Sequence, residues 1–293
     1  MLSHTSTGYA PWQVVEGVDD RYRDVTAARL VLDALEARLA QPAEPRRVVK
    51  QAPIDDPKTV FDRLDLSLTI SKSDADLRIA SLQSRLNLLC RKLQKKRKSA
   101  ILVFEGADAA GKGGAIRRVT WALDSRSYRV IPISAPTDEE RAHHYLWRFW
   151  RQLPRRGRMT IYDRSWYGRV LVERVEGFAK HEEWQRAYQE INDFERELVE
   201  GDVIVIKLWL QISQEEQLRR FNERELDPIK RHKITPEDYR NRDKANQYEL
   251  AAAEMLARCS LPESPFTLVE ANDKRFARVK VLETICERLS QEL

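Results

Sequence analysis

The stretch AILVFEGADAAGKGGAIRRV, residues 100–119, decides the fold. An apolar, β-branched run leads into a glycine-rich turn, and the turn leads into a segment of helical composition. Gly106, Gly111 and Lys112 have the spacing G-x-x-x-x-G-K of a phosphate-binding loop. In such a loop backbone N–H groups and a helix N-terminus hold phosphate oxygens while the lysine reaches the outer ones. Two features are unusual. The Ser or Thr that normally follows the lysine is replaced by Gly113, and a carboxylate, Asp108, lies inside the loop.

From this turn outward the chain alternates between short apolar runs and longer segments of helical period, which predicts a parallel sheet covered on both faces. Strands are expected at 100–106, 128–134, 159–163, 203–212 and 266–271. Helices are expected near 112–124, 138–152, 167–176, 181–200, 214–226, 236–258 and 274–291. Residues 72–98 read as one amphipathic helix with Leu77, Leu82, Leu86, Leu89 and Leu93 on a stripe. Its basic end, RKLQKKRK, is expected to oppose the helix dipole. Right-handed crossovers give three αβα layers with the active site at the carboxyl ends of the strands.

The chain of 293 residues is 42% hydrophobic, enough for a large core, and its net charge of +5 suits anionic partners without choosing among them. Three cysteines, Cys90, Cys259 and Cys286, lack the spacing of a zinc site or disulfide framework and are expected as reduced thiols. No signal-peptide pattern or long apolar run occurs, so a cytoplasmic protein without membrane contact is expected.

Residues 11–39 align without gaps to 265–293 at a constant offset of 254, with identities that include Glu16/Glu270, Asp19/Asp273 and Arg21/Arg275. We read 1–40 as an orphan strand-helix unit, 41–64 as a Pro-rich linker and 65–293 as the main domain. A tandem duplication accounts for the repeat, this chain being its C-terminal part, whether a truncated gene product or an excised domain.

Three further stretches carry chemistry. MTIYD, 159–163, is an apolar strand ending in Asp163, the form of a Walker B segment that presents a carboxylate to Mg²⁺. After it come Arg164, Arg169, Glu173 and Arg174, of which Arg164 and Arg169 are expected at phosphate. QLRRFNERELDPIKRHKITPEDYRNRDKANQY, 217–248, gathers Arg219, Arg220, Arg224, Lys230, Arg231, Lys233, Arg240 and Arg242 where a cationic lid, about 214–246, would close over a phosphoryl group. RFWRQLPRRGR, 148–158, holds five arginines and no acid; a polyanion or nucleic acid would suit it, nucleic acid being the weaker reading. Asp108 and Asp163 together could carry the metal, since Mg²⁺ takes one or two carboxylates plus waters and phosphate oxygens.

The blocks FEGADAAGKGGAIRRV, YDRSWYGRVLVERVEGF and DPIKRHKITPEDYRNRDKANQYE resemble, in order, the signature blocks of the polyphosphate kinase 2 family. The likeness extends from about residue 65 to the end. It implies an α/β, three-layer αβα P-loop kinase fold with a five-stranded parallel sheet and a helical lid, acting as a Mg²⁺-dependent enzyme, Mn²⁺ being a substitute. The reaction implied moves phosphoryl groups between inorganic polyphosphate and nucleotides. By motif match, Asp108, Lys112, Asp163, Arg164 and Arg224 would be catalytic, with Asp108 and Asp163 on the metal. Asp163, Arg164, Arg169 and Glu173 would bind nucleotide. Gly106, Ala109, Ala110, Gly111, Lys112, Gly113, Gly114, Arg117, Arg118, Lys230, Arg231 and Lys233 would bind polyphosphate.

Two positions depart from the family pattern, His232 where Trp is usual and Gly168 where many members have Asn. Gly168 and the repeat resemble the duplicated, AMP-phosphorylating subgroup, which implies AMP and ADP as nucleotides and a homo-oligomer. Alternatives are ADP as acceptor, an ATP-using nucleotide kinase, and a non-catalytic polyanion-binding protein.

Overall fold

The computed structural model describes residues 2–8, 10–41, 59–229 and 236–293. The chain divides into two units, Met1–Val48 and Val49–Leu293.

The first unit has a short helix α1 (Leu2–Thr5) and a long helix α2 (Asp20–Ala40). Residues 11–17 between them belong to no strand. Asp19 caps α2 by accepting from the Tyr22 amide at 2.9 Å, which satisfies one of the free N–H groups of the first turn. No residue of α2 is buried, although Val25, Val31, Leu35 and Leu39 are apolar.

The second unit begins with α3 (Thr59–Asp62) and α4 (Lys72–Lys96), then β1 (Ser99–Gly106), α5 (Lys112–Trp121) and β2 (Tyr128–Pro132). Two short helices, α6 (Asp138–Arg141) and α7 (Trp147–Trp150), precede β3 (Met159–Asp163). A 3₁₀ turn (Trp166–Arg169), α8 (Val172–Val175), α9 (His181–Glu200) and β4 (Val203–Gln211) follow. The chain ends with α10 (Gln214–Leu226), α11 (Pro236–Asp243), α12 (Ala245–Cys259), β5 (Phe266–Glu270) and α13 (Lys274–Glu292).

The five strands form a parallel sheet in the order β2-β3-β1-β4-β5. Alternation along the central strands divides the core. Ala100, Leu102, Phe104, Ile204, Ile206, Leu208 and Leu210 face one helical layer, while Ile101, Val103, Val205 and Trp209 face the other. This period of two, with both faces apolar, is what a doubly covered sheet demands. Because β1 continues toward β2 and β3 continues toward β4, their loops diverge and leave a crevice at the carboxyl ends of two paired strands.

Helix α4 buries Ala75, Leu86, Leu89, Cys90 and Leu93, but Leu77 is 72% exposed, contrary to the stripe expected. Ile79 and Leu82 complete the buried face instead, because Ala75, Ile79, Leu82, Leu86 and Leu93 keep the 3.6-residue period that Leu77 breaks. The helix expected over 138–152 is interrupted between α6 and α7, and that over 167–176 is broken at Leu171, whose ψ of −98° leaves the helical region.

Candidate active site

Strand β1 delivers the glycine-rich turn into the crevice. Gly106 adopts φ 139°, and a Cβ there would lie 2.2 Å from the Leu210 carbonyl oxygen, so close passage of the loop over β4 requires glycine. Gly111, at φ 107°, caps α5. Ala109 holds φ 62° without being glycine, a strained conformation that the surroundings must impose. The surroundings include Arg220. Its buried guanidinium donates to the carbonyls of Ala109 (2.8 Å) and Ala110 (3.1 Å) and to those of Ala271 (2.7 Å) and Asn272 (2.9 Å), while its Nε meets Glu216 at 2.6 Å. A single side chain on α10 thus ties the phosphate loop to the end of β5.

Register places the Walker B tip beside the loop, with Asp163 paired opposite Phe104. Arg164 adopts φ 65° and donates its amide to Phe104 at 3.0 Å. That conformation sends its guanidinium to Asp108, Nη2 to Oδ1 at 2.8 Å. The other Asp108 oxygen accepts from Asn241 Nδ2 at 2.9 Å, and the Asn241 amide oxygen accepts from the Tyr248 hydroxyl at 3.2 Å. The same hydroxyl lies 3.2 Å from Glu176, so its single proton is shared between the two acceptors. A hydrogen-bonded path therefore runs from the residues after the 3₁₀ turn through α12 and α11 to the loop carboxylate.

The electrostatics are those of a cation-rich site with buried acids. Burial works against ionisation of Asp108, but Lys112, Arg164 and the bond from Asn241 outweigh it, and its carboxyl lies below the usual range. Burial pushes Glu105 upward despite its bond from Ser165 at 2.8 Å. Lys112 is lowered by burial although Asp108, Asp163 and Glu105 surround it, and its Nζ donates to the carbonyls of Gly106 (2.7 Å) and Ala107 (3.2 Å). The structure thus brings Asp108, Lys112, Asp163 and Arg164 together.

Other expected residues fall into three groups. Arg169 pairs with Glu173 at 3.0 Å and lies over the Tyr145 ring at 4.5 Å, and burial raises Glu173. Arg174 does not continue their face: the break at Leu171 turns it to Tyr188 (2.7 Å) and Glu254 (2.6 Å). Arg117 and Arg118 lie on α5 and Arg224 on α10. Lys230, Arg231, His232 and Lys233 lie outside the described residues. Among the lid arginines of the described chain, Arg219 is engaged by Glu216 and Glu223, and Arg242 donates to the Gln214 carbonyl at 2.7 Å.

Sequence reasoning missed Asn241, the clamp made by Arg220, and Arg278. Arg278 reaches within 3.6 Å of the space over Gly114, and burial with the repulsion of Arg118, Arg220 and Arg275 lowers its hold on its proton. Only the docking of α13 beside α5 brings Arg278 and Arg118 together. Beside Asp108 and Arg164 a cavity of about 150 Å³ is lined on its apolar side by Phe61, Leu171, Val172, Trp209, Ile212 and Tyr248.

A glycine-rich strand-to-helix turn, a carboxylate at the tip of the paired strand and a cation-bearing helical segment packed against the turn define the P-loop kinase fold. The match to known proteins is specific within that class. The chain belongs to the polyphosphate kinase 2 family, whose model matches residues 69–293. It is 52% identical to the polyphosphate:AMP phosphotransferase of Pseudomonas syringae pv. tomato over 99% of this chain and 59% of that protein. It is 36% identical to NDP-polyphosphate phosphotransferase 3 of Ruegeria pomeroyi over 83% of this chain and 80% of that one. The crystal structure of a polyphosphate kinase 2 from Pseudomonas aeruginosa superposes with a TM-score of 0.87 at 53% identity, over 99% of this chain and 61% of that one. The chain therefore spans about three fifths of the length of the Pseudomonas proteins it matches. Among the described residues no helix is long and apolar enough to cross a membrane.

Proposed function

We propose that this chain transfers the terminal phosphoryl group of inorganic polyphosphate to AMP, giving ADP. The observation that carries this reading is the 52% identity, over nearly all of this chain, to a protein named for that reaction. The juxtaposition of Asp108, Lys112, Asp163 and Arg164 supports it. A phosphate oxygen of AMP attacks the terminal phosphorus, the bond to the next bridging oxygen breaks, and polyphosphate leaves one unit shorter. Catalysis of such a transfer is positioning and charge neutralisation. Lys112, Arg118 and Arg278 would hold the donor, with Lys230, Arg231 and Lys233 of the lid. Arg164 would orient the acceptor phosphate, Arg169 and Glu173 would contact the nucleotide from their own pair, and the apolar cavity would take the nucleoside.

The donor set fits Mg²⁺. One carboxylate, Asp163, ends β3 and the other, Asp108, lies in the loop that leaves the neighbouring β1, no larger acid, His or Cys cluster occurs among the described residues, and Mg²⁺ needs only one or two carboxylates. When bound by Asp108 and Asp163, Mg²⁺ supplies neutralisation of the phosphate oxygens, and Mn²⁺ would serve the same donors. Arg164 and Asn241 hold the two Asp108 oxygens and so set the orientation of that carboxylate.

The test is to supply purified protein with AMP, ADP or GMP, and with polyphosphate or ATP as donor, and to separate the nucleotides formed. Transfer from polyphosphate to no acceptor sinks the proposal. ATP formed from ADP without ADP formed from AMP moves the acceptor to a diphosphate, as in the name of the Ruegeria relative.

We further propose that residues 1–40, expected as a strand-helix unit but without a strand at 11–17, derive from a second kinase-like copy, with 41–64 as linker except for α3, whose Phe61 packs into the core, and 65–293 as the kinase domain with its lid at about 214–246. Asp19 and Asp273, at the repeat offset, cap their helices alike by accepting from the amide three residues on. The helix residues Val25, Val31, Leu35 and Leu39 correspond to Val279, Ile285, Leu289 and Leu293, all buried in α13 or directly after it. A protein truncated to 41–293 should keep its cooperative unfolding, measured by denaturant titration; loss of folding would refute the division.

A further inference from the structure

Two basic runs have no part in the site described: the end of α4, Lys95 to Lys98, and the loop Arg155 to Arg158. They are about 60 residues apart in sequence, yet the structure places them side by side at the amino ends of the strands, opposite the phosphate loop. The Gly157 amide donates to the Lys98 carbonyl at 3.0 Å, and Gly157, at φ 76°, leaves only 3.3 Å between a would-be Cβ and the Gln94 backbone. Ala100 donates to the Arg158 carbonyl at 3.1 Å, and the Arg158 guanidinium donates to the Arg126 carbonyl. Gln94, Asp124, Arg126, Arg156, Gly157 and Arg158 line a shallow cleft there.

Acids do not balance this face. Asp124 is bound by Arg126 at 2.8 Å, a hydrogen bond that holds its carboxyl down at about 2, and Asp202 lies 3.9 Å from Lys98. Lys95, Lys96, Arg97, Arg155 and Arg156 remain exposed around them. The dipole of α4 accounts for cations in its own last turn only, since the effect fades beyond one turn. Arg126, Arg155, Arg156 and Arg158 belong to other segments and have no helix end to oppose. Like charges gathered beyond what these few contacts engage fit a polyanionic ligand. No aromatic ring lines the cleft, whereas single-stranded nucleic acid is held by base stacking on aromatic side chains; a chain of bare phosphates needs only cations.

We propose that this basal face holds distal phosphates of a long inorganic polyphosphate chain while its end occupies the phosphate loop. The proposal rests on polyphosphate being the donor. The strand β1 separates the two faces by roughly 25 Å, from eight residues at about 3.3 Å each, so tripolyphosphate cannot bridge them and a long chain can. Long donors should therefore bind more tightly than short ones through a surface that does not touch the reacting atoms.

The experiment compares the protein with a variant carrying Lys95→Ser, Arg155→Ser and Arg156→Ser, whose fold is checked by circular dichroism. Direct binding of long-chain polyphosphate and of a single-stranded RNA, and initial rates with long-chain polyphosphate and with tripolyphosphate, are measured for both. We expect about tenfold weaker binding and a tenfold higher KM for the long chain. We expect unchanged kcat, unchanged KM for tripolyphosphate, and a salt dependence shallower by roughly two, as three lost phosphate contacts imply. Equal long-chain binding by both proteins, or equal loss with tripolyphosphate, overturns the basal site while leaving the donor intact. Loss of RNA binding without loss of polyphosphate binding overturns it in favour of nucleic acid. A parent protein that neither binds nor uses polyphosphate of any length overturns the donor reading and this one with it.

Discussion

The Arg164 guanidinium donates to the Asp108 carboxylate across 2.8 Å, joining the loop that leaves β1 to the loop that leaves β3. The pair explains the carboxylate that looked misplaced in an anion-binding turn. Asp108 is not exposed to incoming phosphate as a bare charge; it is held by a cation on one oxygen and by Asn241 on the other. Its removal should therefore act on chemistry more than on folding. Asp108→Asn and Asp163→Asn should each lower the rate of phosphoryl transfer by about 10²–10³-fold, while the protein stays folded. Near-normal turnover in either variant would refute its metal role.

The depressed Asp108 carboxyl also predicts a pH signature. A carboxylate of lowered pKa contributes stability above its unfolded value of about 3.9 and loses it as pH falls through the folded value. The stability gap between the protein and Asp108→Asn should be constant from neutrality to about pH 5 and shrink below about pH 4. Urea unfolding at a series of pH values measures this; a gap that widens toward acid would contradict it.

Arg220 should matter for stability more than its place among lid cations suggests. Its buried fork satisfies four carbonyls and Glu216. Arg220→Ala leaves these groups without their donor and should cost about 3–5 kcal/mol, with a melting temperature lower by about 6–20 °C for a unit of this size. Arg220→Lys, which keeps the charge and loses the planar fork, should recover only part of that. A melting point unchanged by either substitution would remove the clamp from the account.

Two glycines of the loop should respond in opposite ways. Gly106→Ala forces a Cβ into the Leu210 carbonyl at a φ of 139°, and the expected result is insoluble or unfolded protein. Gly113 lies in α5 with nothing within 4 Å of its would-be Cβ. Gly113→Ala should therefore be folded and more stable by about 0.4–1 kcal/mol. Expression of soluble protein and denaturant midpoints separate the two cases.

Deep in the second layer Lys207 and Glu195 form a fully buried ion pair at 2.6 Å. Glu195 also accepts from Trp166, Tyr167 and Ser264, and Lys207 donates to Tyr167 and to the Cys259 carbonyl. Lys207→Met alone strands a buried carboxylate and should lose about 3–5 kcal/mol. Lys207→Met with Glu195→Gln should be more stable than the single variant, read from the same urea midpoints. A double variant no better than the single one would show that the pair is not coupled in this way.

Legibility differed by kind of feature. Strand Met159–Asp163 and helices His181–Glu200 and Gln214–Leu226 have the bounds expected from the chain, because caps, period and apolar runs are local properties. The helix expected over 167–176 fails at Leu171, where Arg169 stays with Glu173 and Arg174 leaves for Glu254. Nothing in the spacing of those arginines distinguishes the two destinations. Lys207 is equally opaque: it interrupts an apolar strand, and only the partner brought from α9 makes its burial tolerable.

By itself the sequence determined the parallel sheet, the glycine-rich turn after β1 and the carboxylate ending β3, since alternation, glycine spacing and the residue ending an apolar run are local constraints on the backbone. Tertiary structure alone decided which cations serve which purpose. The chain reads Arg219 and Arg220 as neighbours of one kind, yet one is an exposed partner of Glu216 and Glu223 and the other a buried clamp on the loop. It gives no hint that Asn241 meets Asp108, or that Lys98 and Gly157 adjoin. The physical reason is that charge and hydrogen-bonding capacity belong to a side chain, while desolvation and partnership belong to the packing around it.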